Sequence, residues 1–419
     1  MTTPAVRRIV VVGSGWAGLT LCHKLDDKKY TITVISPQAT CPYTPLLAST
    51  ACGLFHSSLA EEPIRQKNKA LKYVQATVTD VDFKRKACAC SPAFSSLSDQ
   101  TFEIEYDILV LAPGCTTQTF GIPGVAEHGL FVRNVADATA VQHKLHEILE
   151  IASLPTMSDR QQRDILHIIV VGGGPTGVEI TAEMYDLFSE DISQLYPDLK
   201  NKFTISIHDV ASNILSAFDA SLSKYALESF ERRHVAIKTN SHIRQVDKDR
   251  LHTKEDGEIP YGLLIWATGN KAVPLVEQLP VLKSARLPRI QTDTYLRVLD
   301  TNEAVIDSVF ALGDAADIKG GELPTTAEVA CQKGEYLAQV LNSARIDDVA
   351  PFAYRQKSIV AYLGQQDGVI SGKRDWEGPQ AWIAWRSKNL TWTRTWRTKI
   401  AILFEWILNF GFGKNIVMR

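Results

Sequence analysis

Two copies of one motif dominate this sequence: a β-branched run leads directly into G-x-G-x-x-G, and an apolar helical pattern follows. The first copy spans Arg8–Leu21 and the second spans His167–Glu179. In this context the first glycine permits a tight turn, the second lets the backbone approach a pyrophosphate, and the third lets helix and strand pack closely. The helix N-terminus then presents free N–H groups to the phosphates. The sequence therefore predicts an α/β fold with two Rossmann-like dinucleotide-binding domains.

The first copy contains Gly13, Gly15 and Gly18. The strand after it ends at Ser36, where a Rossmann fold meets the adenosine ribose. A serine hydroxyl bonds a ribose more weakly than a carboxylate would. The alternative interpretation is a tight strand–helix turn that binds no nucleotide.

The second copy contains Gly172, Gly174 and Gly177. The strand after it ends at Asp209, whose carboxylate can accept bonds from a ribose and would repel a 2′-phosphate. Asp209 therefore favours NADH over NADPH. The alternative is that Asp209 is only a solvated residue at the end of a strand and binds no nucleotide. Two complete motifs indicate two dinucleotides, which is the simplest arrangement for a hydride donor and a hydride acceptor.

Three further apolar runs read as strands that end in glycine turns. Asp107–Gly114 and Leu263–Gly269 are two of them, and the third, Ser308–Asp314, places Gly313 and Asp314 at a predicted helix start. A carboxylate there can hydrogen-bond a ribityl hydroxyl of FAD while the helix N-terminus faces the pyrophosphate. A plain helix N-cap is the alternative.

Composition argues against several classes of protein. A net charge of −2 over 419 residues argues against a nucleic-acid partner, which requires a strongly basic surface. Seven scattered cysteines do not resemble a disulfide framework, and no His/Cys/Asp cluster has metal-ligand spacing. No apolar run reaches the roughly 18 residues of a transmembrane helix. The stretch before Ile9 is too short for a presequence, so a cytoplasmic protein or a processed form is expected.

Short strings spread over nearly the whole chain match one protein family. They are Ile35–Pro37, Tyr43–Leu47, Phe120–Gly124, Val170–Glu179, Trp266–Ala272, Leu312–Asp314, Ala361–Gly364, Ser371–Arg374 and Ala381–Trp385. Their order resembles that of two-dinucleotide-binding-domain flavoproteins. More narrowly, the chain resembles the single-subunit type II NADH:quinone oxidoreductases, in particular their fungal mitochondrial branch.

The resemblance implies a role for each motif residue. FAD would be held by Gly13, Gly15, Gly18, Ser36 and Asp314. NADH would be held by Gly172, Gly174, Gly177 and Asp209. Gly114, Gly269 and Gly313 complete the expected cofactor-binding set. Glu179 corresponds to the family's glutamate near the nicotinamide and flavin; the alternative is a first-turn acid that satisfies the helix dipole.

The chain departs from the family pattern in the segment that borders the quinone. The family has glutamine at the positions of Glu328 and Gln332, which are four residues apart and share one helix face. A glutamate donates a hydrogen bond only when it is protonated. We expect both residues to belong to the catalytic site. We also expect Glu328 to alter the second half-reaction, in which the flavin passes electrons to the quinone, or to mark a different electron acceptor. A tolerated near-isosteric replacement is the alternative.

The end of the chain is rich in tryptophan and in basic residues, among them Lys414 and Arg419. Apolar residues recur there at helical spacing: Trp396, Ile400, Phe404, Ile407 and Phe410. Such a helix suits a membrane interface, although docking on the body of the protein or burial in a homodimer would also explain it. The resemblance favours a peripheral membrane protein, at the mitochondrial inner membrane if a presequence was removed.

These observations predict an organisation and a function. The FAD-binding domain would comprise residues 1-124 and 287-345, the NADH-binding domain 125-286, and a C-terminal membrane or dimer region 346-419. Lys86–Gln100 is expected to be an inserted loop. The favoured function is FAD-dependent NADH:quinone oxidoreduction without proton pumping. The alternative is a soluble biosynthetic flavoenzyme of the same fold that acts on a small organic substrate.

Overall fold

The computed structural model describes residues 6–65, 71–216, 218–285, 287–343, 345, 348–372 and 375–413. The chain forms two compact units. Unit 1 comprises Met1–Cys41, Glu62–Thr116 and Asn270–Arg355, and unit 2 comprises Pro42–Glu61, Thr117–Gly269 and Gln356–Arg419. The predicted FAD-binding, NADH-binding and C-terminal domains remain predictions. Residues named in the sequence analysis that lie outside the described part are Lys373, Arg374, Lys414, Arg419 and the side chain of Phe410.

The described chain contains parallel and antiparallel strands, with helices between some of them. The strands are β1 (Arg7–Val12), β2 (Tyr30–Ser36), β3 (Thr40–Pro42), β4 (Glu61–Pro63), β5 (Leu71–Asp82), β6 (Ala87–Pro92), β7 (Phe102–Glu105), β8 (Ile108–Leu111), β9 (Cys115–Thr117), β10 (His167–Val171), β11 (Thr204–His208), β12 (Ala236–Lys238), β13 (Ile243–Val246), β14 (Arg250–Thr253), β15 (Gly257–Pro260), β16 (Leu263–Trp266), β17 (Asn270–Ala272), β18 (Ile290–Thr292), β19 (Arg297–Leu299), β20 (Val305–Ala311), β21 (Ala316–Ile318), β22 (Ile359–Gly364), β23 (Asp367–Ser371) and β24 (Trp376–Glu377). The helices are α1 (Trp16–Lys24), α2 (Leu47–Ala51), α3 (Val125–His128), α4 (Val135–Ala152), α5 (Asp159–Ile165), α6 (Pro175–Asp186), α7 (Ser193–Leu195), α8 (Ala220–Arg232), α9 (Pro274–Gln278), α10 (Ala327–Asn342), α11 (Pro379–Trp392) and α12 (Trp396–Phe412).

Unit 1 is built on a ten-stranded sheet in the order β21-β18-β19-β20-β8-β1-β2-β5-β6-β7. Its centre, from β20 to β5, is parallel, and β6 and β7 continue it antiparallel. Parallel strands are covered on both faces, which explains why β8 is an uninterrupted apolar run with all four residues buried. Helix α1 packs against α10, where a Cβ at Gly334 would lie 2.7 Å from the Ala17 carbonyl oxygen.

Two sequence expectations for unit 1 are wrong. Lys86–Gln100 is not a loop, because Ala87–Pro92 forms β6 with buried Cys88 and Cys90. The residues of β6 have small side chains, so the sequence shows no clear alternation of apolar and polar residues there. Gly313 and Asp314, predicted at a helix start, begin only a single 3₁₀ turn, Gly313–Ala315, which leads directly into β21 and not into an α-helix.

Unit 2 contains a four-stranded parallel sheet in the order β12-β11-β10-β16, together with a three-stranded antiparallel sheet β13-β14-β15. The end of the chain adds the antiparallel sheet β22-β23-β24 and helices α11 and α12. In both units the motif strand lies between the strand that follows it in sequence and a later one. Within the residues that the structure describes, no helix combines the length and the apolar character needed to cross a bilayer.

Candidate functional site

The first glycine motif forms a cradle at the carboxyl end of β1. Gly13 has φ +101°, and a Cβ there would lie 2.1 Å from the Ala112 carbonyl oxygen. A Cβ at Gly18 would lie 2.2 Å from the Gly13 carbonyl oxygen, so α1 could not approach its strand with any other residue. A Cβ at Gly15, in contrast, would meet no described atom within 4 Å. The cradle is therefore closed on the protein side and open at the central glycine, as a pyrophosphate requires.

The second motif repeats this geometry in unit 2. A Cβ at Gly172 would lie 2.5 Å from the Ala267 carbonyl oxygen, and one at Gly177 would lie 1.9 Å from the Gly172 carbonyl oxygen. A Cβ at Gly174 would again meet no described atom within 4 Å. In both motifs the first glycine N–H donates a 2.8 Å hydrogen bond to the neighbouring strand. Each cradle thus fits a dinucleotide on its own.

Unit 1 also contains the other residues expected to hold FAD. Ser36 is buried, and its hydroxyl oxygen accepts a 2.8 Å hydrogen bond from Ser14. The Asp314 carboxylate accepts a bond from the Cys115 thiol, with 3.3 Å between Oδ2 and Sγ. Gly114 and Gly313 both have positive φ, +72° and +74°, next to these turns. Asp314 is thus at the end of β20 as predicted, on a 3₁₀ turn rather than a helix.

In unit 2, Asp209 follows β11 and closes the second cradle from the side. Its Oδ2 accepts a 2.5 Å bond from the Gly173 N–H, and its Oδ1 accepts a 2.7 Å bond from the Ala211 N–H. These two main-chain donors orient the carboxylate. The carbonyl oxygen of Gly269, after β16, accepts a 2.9 Å bond from the Gln118 N–H.

Glu179 lies in the second turn of α6, because the helix begins at Pro175. It is therefore not a first-turn acid that satisfies the helix dipole. Its Oε1 accepts a 2.9 Å hydrogen bond from the indole Nε1 of Trp385 on α11. Burial raises the pKa of Glu179 to about 8, against the opposing effect of the Trp385 bond.

Two more carboxyl groups continue the same face of α6. Glu183 accepts a 2.6 Å bond from the Ser49 hydroxyl, and Asp186 accepts a bond from the Tyr362 hydroxyl. Both side chains are buried. We call the set Glu179, Glu183 and Asp186 the acidic face of α6. Sequence reasoning missed it, although the spacing i, i+4, i+7 of acids on an otherwise apolar helix was a usable signal.

In unit 1, Glu328 and Gln332 contact each other in the first turns of α10. Gln332 Nε2 donates to Glu328 Oε1 at 2.6 Å and to the Arg355 carbonyl oxygen at 3.0 Å. Gln332 Oε1 accepts a 3.0 Å bond from the Arg355 N–H. The Gln332 amide therefore pairs with a main-chain peptide and orients Glu328 at the same time.

Lys333, the next residue on α10, was not anticipated. It is 1% exposed, and its Nζ donates a 3.0 Å bond to the Ala316 carbonyl oxygen. Burial lowers the pKa of Lys333 to about 8, against the opposing effect of Asp317. The sequence did contain a signal for this burial. Lys333 lies next to Gly334, on a helix face whose other residues are uncharged.

The C-terminal helices present one apolar face to solvent. On α12, Trp396 is 78% exposed, Ile400 64% and Ile407 68%. The opposite face is held in place: Ile402 is buried, and Asn409 Nδ2 donates a 2.5 Å bond to the Leu54 carbonyl oxygen.

Known proteins resemble this chain over almost its whole length. The family model for pyridine nucleotide-disulphide oxidoreductases matches residues 7–334. A Dictyostelium discoideum protein named probable NADH dehydrogenase is 35% identical over 416 residues, which cover 98% of this chain and 90% of that protein. A Schizosaccharomyces pombe protein named as a probable mitochondrial NADH-ubiquinone oxidoreductase is 30% identical over 468 residues, covering 99% and 84%. The structure of NDH2 from Plasmodium falciparum in complex with NADH matches with a TM-score of 0.91 at 25% identity, covering 99% of this chain and 100% of that one.

Proposed function

The chain belongs to the pyridine nucleotide-disulphide oxidoreductase family and, within it, to the type II NADH dehydrogenases, and on that premise we propose that it oxidises NADH and reduces a quinone through FAD. The reaction does not pump protons. FAD, when bound, accepts the hydride and releases the electrons to the acceptor. The observation that carries the proposal is the pair of equivalent cradles, one in each unit, with the central glycine open in both. The names of the relatives favour this reaction over biosynthetic chemistry on a small organic substrate.

We assign the first cradle to FAD and the second to NADH. When FAD is bound, the N–H groups at the start of α1 in unit 1 would hold its pyrophosphate, and Asp314 would accept a bond from its ribityl chain. In unit 2 the start of α6 receives the NADH pyrophosphate, and Asp209 meets the adenosine ribose. The carboxylate of Asp209 is already oriented by the Gly173 and Ala211 N–H groups, which supports preference for the unphosphorylated nucleotide.

Glu328 and Gln332 have different roles in the reduction of the quinone. Gln332 positions Glu328, because its amide is bonded both to that carboxyl and to the Arg355 main chain. Glu328 is then the group that meets the quinone and exchanges a proton with it. A carboxyl at this position supplies a proton donor that a glutamine lacks.

We further propose that the exposed face of α12 binds a membrane surface. Trp396, Ile400, Phe404 and Ile407 lie on one side of the helix and are exposed by 59% to 78%. Lys399 stacks on Trp396 at 5.2 Å, which places a cation at the edge of the apolar face. Quinones with long tails reside in membranes, so peripheral binding brings the enzyme to its acceptor. The fungal relative is named a mitochondrial protein, and we propose the mitochondrial inner membrane as the site of action.

Anaerobic stopped-flow absorbance tests the reaction. The purified holoenzyme is mixed with NADH and then with a short-chain ubiquinone, and the flavin band is followed. We expect fast bleaching and fast recovery. Fast bleaching with slow recovery would overturn the quinone as acceptor, and no bleaching by NADH would overturn the whole proposal.

Flotation with anionic phospholipid vesicles tests the membrane surface. Ile400→Glu and Ile407→Glu should each leave more protein unbound, while Leu195→Glu, an equally exposed apolar residue on α7, should float like the wild type. A monomeric wild type that does not float would contradict membrane binding. A wild type that does not float but is dimeric, with the dimer lost in Ile407→Glu, would assign this face to a homodimer instead.

A further inference from the structure

We propose that Trp385 is a positioning residue for the NADH half-reaction, because its indole N–H fixes the orientation of the Glu179 carboxyl and the oxygen that carries the proton. The inference rests on the proposed function, which places Glu179 beside the nicotinamide. It gives the C-terminal region a role in the reaction beyond binding a surface.

The Trp385 ring has little freedom to move. It is 4% exposed and stacks on the Tyr362 ring, with 4.8 Å between ring centroids and 17° between planes. The Tyr362 hydroxyl in turn donates to Asp186 on α6. The indole is therefore anchored to the same helix that carries Glu179, and its Nε1 meets Oε1 at 2.9 Å as a consequence.

The chemistry of the indole decides where the proton lies. An indole N–H is a donor and never an acceptor, so Glu179 Oε1 must present a lone pair to it. In a neutral carboxyl the carbonyl oxygen accepts more strongly than the hydroxyl oxygen, so the indole favours Oε1 as the carbonyl oxygen and Oε2 as the oxygen that carries the proton. A donor also favours the ionised form of a carboxyl, so the bond opposes the effect of burial on Glu179.

Charged groups face Glu179 from two elements. On α6 itself, Glu183 lies one turn further and its charge raises the pKa of Glu179. On α11, Lys388 lowers that pKa, and its Nζ donates a 2.7 Å bond to the Ser358 carbonyl oxygen. Arg386 on α11 packs its guanidinium over the Trp406 ring at 4.4 Å.

The other elements that pack on α6 contribute fewer charges. From β22, the main-chain N–H of Tyr362 also donates to the Glu179 carboxyl and lowers its pKa. The Tyr362 hydroxyl is bonded to Asp186, and burial raises the pKa of that hydroxyl. From α2, Leu47–Ala51, the polar side chain next to the acidic face is Ser49, which bonds Glu183. Neither replaces Trp385 as a side-chain donor to Glu179.

The test is the pH profile of flavin reduction by NADH in the holoenzyme. We expect one pH midpoint in the wild type that is absent in Glu179→Gln. Trp385→Phe keeps a ring of similar shape and removes the donor, so its midpoint should rise by about one pH unit. Trp382→Phe, one turn earlier on α11, is the matched control and should keep the wild-type midpoint. An unshifted midpoint in Trp385→Phe, or a wild-type midpoint that persists in Glu179→Gln, would overturn the inference.

Ultraviolet resonance Raman spectra of the indole N–H provide a second measurement that needs no Trp385 variant. The band that reports indole hydrogen bonding should differ between the wild type and Glu179→Gln and should titrate with pH in the wild type alone. Identical spectra would overturn the inference. Because this readout does not require turnover, it still tests the Trp385–Glu179 bond if NADH fails to bleach the flavin, which is the outcome that would overturn the proposed function instead.

Discussion

The indole Nε1 of Trp385 lies 2.9 Å from Oε1 of Glu179, although 206 positions separate the two residues in the sequence. The bond joins the helix of the second glycine motif to the C-terminal helices within unit 2. It also gives a buried carboxyl a defined partner, since burial raises the pKa of Glu179 to about 8. Stability and reactivity should therefore both depend on this contact.

Glu179→Gln should stabilise the protein at alkaline pH. The folded pKa of about 8 exceeds the reference value of 4.5, so between these values the folded state keeps a proton that the unfolded state has released. The free energy of unfolding of the wild type therefore falls as pH rises through this window. We expect the advantage of the variant to grow by about 3 to 5 kcal/mol across it and to stay level above it. Urea unfolding across the window checks this; Glu228→Gln on the surface of α8 should give a constant difference.

Replacing Lys333 should have the opposite pH dependence. Its folded pKa of about 8 lies below the reference value of 10.5, so the unfolded state binds more protons between these values. The free energy of unfolding of the wild type therefore rises with pH in this range, whereas Lys333→Met lacks that rise. The difference between the two should change by about 2 to 4 kcal/mol. Parallel unfolding curves for both proteins from neutral to alkaline pH would contradict the buried, poorly ionised lysine.

Gln332→Leu should loosen the chain at Arg355. The side-chain amide makes two 3.0 Å hydrogen bonds to the main chain of that residue. Their loss should accelerate amide exchange at Arg355 by about 10- to 100-fold, as expected for one to three kcal/mol of local stability. Hydrogen–deuterium exchange with peptide resolution measures this. Gln339→Leu, on the exposed side of the same helix, should leave the exchange at Arg355 unchanged.

Substitutions of different glycines in the two cradles should affect either cofactor binding or folding. A Cβ at Gly15 or Gly174 enters open space, so Gly15→Ala should fold but lose FAD, and Gly174→Ala should keep FAD and bind NADH at least about tenfold more weakly. A Cβ at Gly18 would lie 2.2 Å from a carbonyl oxygen, so Gly18→Ala should be poorly folded. Flavin content, NADH titration and circular dichroism distinguish the three outcomes. Normal FAD content in Gly15→Ala would contradict the assignment of the first cradle.

Much of the fold was predictable because its signals are local. A β-branched run before G-x-G-x-x-G specifies a strand, a turn and a helix from consecutive residues, and both copies adopt the same geometry. The prediction was wrong where the local signal was weak or ambiguous. The small residues of Ala87–Pro92 concealed a strand, and Gly313-Asp314 reads like a helix start although only one 3₁₀ turn follows before β21.

The sequence by itself therefore determined the two dinucleotide cradles and the family, since backbone conformation at glycine and the alternation of strand and helix depend on neighbouring residues. The tertiary structure decided how the remaining chemistry is arranged. It directed the Gln332 amide to the Arg355 main chain, buried Lys333 beneath Ala316, and joined Trp385 to Glu179. The physical reason is that hydrogen-bond partners and burial depend on which distant segments pack together, and neither periodicity nor spacing along the chain encodes that choice.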